Sequence, residues 1–201
     1  EFRDMQLTKL GVQAELYSSN SLVDVEARLI VAADGANSDV RRVSGISIDK
    51  KDYSEVALVC KVSVSNPATA TALERFTEQG VLAFIPVGAR DYVSIYCLSD
   101  SELMSVKGLD CEANASFLEE RIGGYLGVLQ LVGPRYSYPL LSQRALSLRA
   151  ERLLLLGNAA NVVHPNAAQG LNLGIRDVAD LVSLIGCDVP DIGCEQVLSQ
   201  Y

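Results

Sequence analysis

Histidine is nearly absent from this chain, with His164 alone, and no two cysteines stand in a C-x-x-C arrangement. The five cysteines, Cys60, Cys97, Cys111, Cys187 and Cys194, are odd in number and irregularly spaced. That argues against a disulfide framework and for reduced thiols. One imidazole without paired thiols gives a structural zinc site no ligand set, so no metal is expected. No apolar run approaches the roughly 18 residues needed to span a bilayer. The longest, residues 81–89 (VLAFIPVGA), is broken by Pro86. Basic residues are the minority, 17 Lys and Arg against 25 Asp and Glu, for a net charge of −8. A chain of that sign lacks the clustered cations that nucleic acid requires. The first ten residues (EFRDMQLTKL) are too polar for a secretory signal. Also missing are internal repeats, low-complexity tracts and any G-x-G-x-x-G.

What remains is an ordinary globular composition, 49% hydrophobic and 21% charged over 201 residues, enough for one large domain or two small ones. Residues 12–17 alternate as a strand does, and 18–22 (SSNSL) form a turn cluster. Residues 24–33 (DVEARLIVAA) begin with alternation and end apolar, predicting one strand that runs from an edge into a core. Asp34-Gly35 is a turn, Ser38 can cap a short helix and Gly45 can end it. The middle is β-rich: 56–65, 73–77, 81–87 and 92–98 have strand composition, with turns at Gly80 and 88–91, predicting an antiparallel sheet. Residues 111–125 predict a helix burying Phe117, Ile122 and Leu126, and 129–140 are extended. Residues 152–156 (RLLLL) predict a strand buried on both faces. Helical periodicity resumes near Leu171, with Ile175, Val178, Val182 and Ile185 on one stripe. The first and last pieces are expected to share one layer that the middle interrupts.

Two constellations carry chemistry. The first is A-D-G-A-N-S-D-V-R, residues 33–41. Its plainest reading is a strand end and a capped helix; its functional reading is a loop at the carboxyl end of a parallel strand, where α/β folds bind ligands. The second runs from Gly157-Asn158 through His164-Pro165 and Gln169-Gly170-Leu171-Asn172 to Asp177. A helix starting at Gly170 or Leu171 presents free N–H groups and the positive end of its dipole, which suits an anionic or electron-rich ligand edge. Gly170 would let the backbone approach closely and tolerate positive φ. His164 is tempting as a catalytic base, but a loop residue that packs or hydrogen-bonds fits better, and no catalytic residue is assigned. Tyr92, Tyr96, Tyr136 and Tyr138 are expected in the sheet and core.

Together the two constellations resemble the second and third fingerprints of the flavoprotein aromatic hydroxylases of the p-hydroxybenzoate hydroxylase fold. The wording G-N-A-A-N-V-V-H-P-N-A-A-Q-G-L-N-L-G-I-R-D, with residues 74–86 (ERFTEQGVLAFIP) and Tyr138-Pro139-Leu140, is similar to the ubiquinone-biosynthesis hydroxylases, most of all the 2-octaprenyl-6-methoxyphenol hydroxylases. The resemblance covers about residues 22–184. It implies an α/β (α+β) chain: part of a Rossmann-like FAD-binding domain (residues 1–52 and 151–201) with an inserted antiparallel substrate sheet (53–150).

The resemblance also implies cofactors and site residues. FAD would be held by Asp34, Gly35 and Arg41 near its pyrophosphate, by Gly157 and Asn158 at the ribityl chain, by Pro165 against the ring, and by the N–H groups of Gly170, Leu171 and Asn172 at the pyrimidine edge. NAD(P)H would be the reductant, with O2 and a prenylated phenol as substrates. A membrane or lipid-carrier contact and a ubiquinone-biosynthesis complex are further implied partners, in the cytoplasm or peripheral to the inner membrane. The family opens with a βαβ unit carrying G-x-G-x-x-G. Its absence, and a first residue other than Met, lead us to expect an internal portion of a longer enzyme that is inactive alone. The cluster Gly123-Gly124-x-x-Gly127 is expected within a helix. Two other readings stand beside this one: a hydroxylase of the same fold acting on another aromatic, and a non-catalytic assembly module.

Overall fold

The computed structural model describes residues 1–18, 20–68, 70–165, 169–186 and 189–201. Cys187, one of the five expected thiols, lies outside these; Cys60, Cys97, Cys111 and Cys194 are free. Two compact units emerge: Glu1–Lys51 with Leu141–Tyr201, and Asp52–Leu140. No helix among the described residues is long and apolar enough to cross a membrane.

The first unit opens with an antiparallel meander of β1 (Phe2–Leu7), β2 (Val12–Ser18) and β3 (Ser21–Ala27). The single strand expected over residues 24–33 is two. β3 ends at Ala27, and β4 (Ile30–Ala32) joins a different sheet. The break lies at Arg28, whose guanidinium donates to the Pro190 carbonyl and whose own carbonyl accepts from Arg152. β4 runs parallel to β11 (Leu153–Leu155), in register Leu153↔Ile30, Leu154↔Val31 and Leu155↔Ala32, with β10 (Arg149–Ala150) on the far side of β11. The three leucines of β11 are fully buried. Burial of a leucine side chain contributes about 1.5–3 kcal/mol, so this central strand fixes the sheet. Segments from both ends of the chain thus form one sheet, as the sequence pattern predicts.

Helix α1 (Asp39–Val43) follows β4, capped by Ser38, whose Oγ accepts from Arg41 N at 3.0 Å. β5 (Ile48–Val64) starts eight residues earlier than composition suggests. β12 (Asn161–Val162) pairs with the end of β9 (Leu129–Ala145) through Asn161↔Arg144 and Val162↔Gln143. Residues 141–150, expected in the insert, group with the first unit, although β9 itself is a strand of the six-stranded sheet that holds β5 to β8. The long helix α4 (Gly170–Ile185) and the short α5 (Glu195–Leu198) complete this unit.

In the second unit β6 (Leu73–Thr77), β7 (Gly80–Pro86) and β8 (Asp91–Ser99) form an antiparallel array with β5. One sheet face carries large side chains, Leu58, Leu82, Phe84, Tyr92, Tyr96 and Leu98. They pack with Val106 of α2 (Asp100–Lys107) and with Ala115, Leu118 and Ile122 of α3 (Cys111–Ile122). The opposite face is built of small residues in register, Ala57–Cys97–Val81 and Val59–Ile95–Ala83. Gly123 ends α3 at φ +79°, so Gly123, Gly124 and Gly127 form the turn after the helix, not part of it. Tyr92 and Tyr96 lie in the core, whereas Tyr136 and Tyr138, expected there too, are both 54% exposed on β9.

Candidate functional site

Parallel pairing of β4 with β11 decides where the two constellations lie. Leu156 N donates to the Ala32 carbonyl at 2.8 Å, so the chains leave the sheet together at its carboxyl edge. One continues into Ala33-Asp34-Gly35 and the other into Gly157-Asn158. This is the edge at which open α/β sheets bind ligands.

The first loop is shaped by its own polar atoms. Asp34 Oδ2 accepts from Val40 N at 3.2 Å, and Gly35 sits at φ +88° with its carbonyl accepting from Ser38 N. The second loop begins at Gly157, φ +54°, in a short 3-10 turn Gly157–Ala159. Gly157 N donates to Asp177 Oδ2 at 2.8 Å, and Gly157 Cα lies where a Cβ on Gly174 would be 3.5 Å away. Helix α4 therefore lies against the second loop, held by one carboxylate and one small residue. Arg41 is 7% exposed and donates to two carbonyls, Ala159 at 2.7 Å and Ala36 at 2.8 Å. Its guanidinium turns inward to the backbone of both loops.

At the start of α4 the side chain of Gln169 makes no cap hydrogen bond and, among the described residues, no acidic residue occupies the first turn. Leu171 and Asn172 are exposed, and so are Asn158 and Pro165. Uncapped N–H groups at a helix start carry partial positive charge and favour an anionic or electron-rich partner. Gly170 is helical rather than at positive φ, so the expected conformational reason for glycine does not hold there. Among the described residues, a Cβ on it would meet only Val163 Cγ2, at 3.8 Å.

Sequence reasoning named Asp177 as the end of the second constellation but gave it no site role. Its fixed distance from Gly157 was the available signal. Tyr201 lies nearby, its hydroxyl 3.4 Å from the Leu155 carbonyl. Burial, then the Asp177 and Asp180 carboxylates, push its ionisation well above the usual phenol range. In the second unit burial, with the charges of Glu55 and Glu74, pushes the Cys97 thiol up to about 11.

Comparison with known proteins shows the family. The profile of the family described as FAD binding domain matches residues 1–201. Ubiquinone hydroxylase UbiL of Rhodospirillum rubrum is 37% identical over 171 residues, covering 85% of this chain and 39% of that protein. Ubiquinone hydroxylase UbiM of Neisseria meningitidis is 31% identical over 193 residues, covering 94% and 41%. Among solved structures, OxyS anhydrotetracycline hydroxylase from Streptomyces rimosus superposes with a TM-score of 0.72 at 23% identity, over 100% of this chain and 40% of that one. Aklavinone-11 hydroxylase, solved with FAD and aklavinone, gives 0.68 at 21% identity, over 92% and 36%. These two likenesses show the fold. The chain spans about two fifths of the length of the curated relatives it matches.

Proposed function

The chain belongs to the FAD-binding domain family, and on that premise we propose that it is part of a flavin-dependent hydroxylase of ubiquinone biosynthesis, acting on a prenylated phenol with NAD(P)H and O2. The observation that carries this reading is the delivery of both loops to one sheet edge by the parallel β4–β11 pair, with a helix start that Gln169 does not cap. The names of the similar ubiquinone hydroxylases support the substrate class.

The residues fit an FAD. Gly35 and Gly157, both at positive φ, bring no side chain to those two points of the loops, and among the described residues nothing lies within 4 Å of where a Cβ on either would sit. Asp34 and Gly35 would lie on the pyrophosphate side. Asn158 would hold a ribityl hydroxyl; an amide can both donate and accept such a bond. Pro165 would pack against the ring. The N–H groups of Gly170, Leu171 and Asn172 would face the pyrimidine edge, where a helix end stabilises negative charge by about 0.3–2 kcal/mol. When bound, FAD supplies the redox chemistry that joins NAD(P)H oxidation to oxygen insertion into the ring. The protein's own part is to hold the reactants in position and keep water out. The sheet face built of Ala57, Val59, Val81, Ala83, Ile95 and Cys97 offers small apolar side chains, which suits a substrate with an isoprenoid tail. Such a tail would also bring the enzyme to a membrane surface or a lipid carrier.

The complete protein tests this directly. It should purify yellow, with FAD released on denaturation, and convert a prenylated phenol to a product heavier by one oxygen atom while consuming NAD(P)H. A colourless protein that gains no flavin on titration would overturn the reading.

A further inference from the structure

Arg41 presents an unusual situation for a buried cation. It is 7% exposed, and among the described residues no carboxylate forms an ion pair with it. A charge taken from water is costly unless its hydrogen bonds are met. Here they are met by backbone carbonyls from two loops, at 2.7 Å to Ala159, 118 residues along the chain from Arg41, and at 2.8 Å to Ala36, five residues away. A planar guanidinium can span two such acceptors in a fixed fork; a lysine ammonium, shorter and a point charge, cannot reproduce that geometry.

We infer that Arg41 is a positioning residue: it sets the spacing between the Asp34–Ser38 loop and the Gly157–Ala160 loop, and so makes ligand binding at either loop depend on the other. It acts through the Ala36 and Ala159 carbonyls and does not itself reach the ligand. Three features support this. Arg41 is anchored by its own backbone in α1, where its N–H donates to Ser38 Oγ, so the side chain reaches across from a fixed base. Ala159 and Ala160 are buried in the same cluster as Ala32, Val40 and Leu155, so the second loop has a rigid floor for the clamp to press on. Asp177 fixes the other end of that loop at Gly157 N, leaving Arg41 as the tie to the first loop. The inference rests on the proposed flavin site for its ligand, but the clamp itself is a property of this chain.

The experiment uses the complete protein as parent, Arg41→Lys and Arg41→Met, with two readouts. The first is amide hydrogen exchange without added flavin. The clamp predicts that both variants raise exchange in residues 34–38 and in residues 157–160 together. Faster exchange confined to 34–44 would mean that Arg41 only supports its own helix, and would overturn the inference. The second is the FAD dissociation constant of the folded fraction. Loss of a charge-assisted bond predicts weakening of roughly tenfold or more for Arg41→Lys. A Gly157→Ala change in the second loop should then add less than its own separate effect, since the loops are already uncoupled. Parental affinity in Arg41→Lys, or full additivity with Gly157→Ala, would overturn the inference while leaving the flavin reading intact. A parent that binds no flavin would sink that reading, and the exchange readout would still decide the clamp.

Discussion

Helices α3 and α4 are both amphipathic, yet they spend their apolar faces differently. In α3, Ala115, Leu118 and Ile122 press onto the large side chains of the sheet, and Leu118 is 1% exposed. In α4 the apolar stripe is more regular, but Ile175 is 57% exposed and Val182 56%, and none of the helix's described residues is buried. What secures α4 is its other side: Gly174 against Gly157, and Asp177 receiving the Gly157 N–H. The second unit thus completes a hydrophobic core of its own. In the first unit the helix is placed by polar and small residues that shape a loop. Periodicity reports that a stripe exists, and it cannot report whether anything lies on it.

Substitutions sharpen that contrast. Leu118→Ala should cost about 2–5 kcal/mol of stability, because it leaves a cavity in a filled core. Ile175→Ala in this same chain should cost less than about 1 kcal/mol, since little area is lost to water. Urea midpoints of the two variants check the pair. Equal losses would mean that the stripe of α4 is covered after all.

Polar changes at the α4 contact rank next. Asp177→Leu strands the Gly157 N–H, at a cost of about 1–3 kcal/mol. Asp177→Asn keeps an acceptor and should lose less. Exchange of the Gly157 amide reads the difference, and unchanged protection in Asp177→Leu would remove Asp177 from the loop. In the complete protein Asn158→Leu should weaken FAD binding by a similar amount, about 1–3 kcal/mol, whereas Asn158→Asp should retain the flavin. Flavin titration of both variants tests whether Asn158 meets a ribityl hydroxyl.

The smallest effect contrasts two thiols. Cys111 is exposed, whereas Cys97 is buried with its pKa pushed up to about 11, first by desolvation. At pH 8 iodoacetamide should modify Cys111 and spare Cys97. The sign of the linkage follows. The unfolded thiol ionises near pH ~8.5 and the folded one only later, so Cys97 lowers stability as pH rises through that interval. Equal labelling of both thiols would show that the small-residue face of the sheet admits reagent freely.

Legibility in the sequence followed chemistry. β6, β7 and β8 were readable because β-branched and aromatic residues alternate between turns. β11 was readable because three leucines in a row have no amphipathic explanation. β1 escaped notice, since FRDMQL is only half apolar and most of it is exposed, with no buried residue to mark a face. α2 escaped too, since DSELMSVK buries only Val106. The division of residues 24–33 was invisible because it depends on Arg28, whose partner Pro190 lies 162 residues away. Both site loops could be located from their glycines and from family resemblance. The inward turn of Arg41 could not, because a side chain that bonds to carbonyls leaves no mark on the sequence of its partners.

Gly170→Val in the complete protein tests the flavin site most directly. Among the described residues only Val163 Cγ2 lies near the added Cβ, at 3.8 Å, so they leave room for the branch while the approach to the helix start is narrowed. The expected result is a folded protein with near-parental melting temperature that has lost FAD, or that retains it and oxidises NAD(P)H without matching hydroxylated product. Displacement by ~1 Å is enough for a roughly 10²-fold loss of productive turnover. Parental flavin content together with parental coupling of product to NAD(P)H would contradict the placement of the flavin at the start of α4.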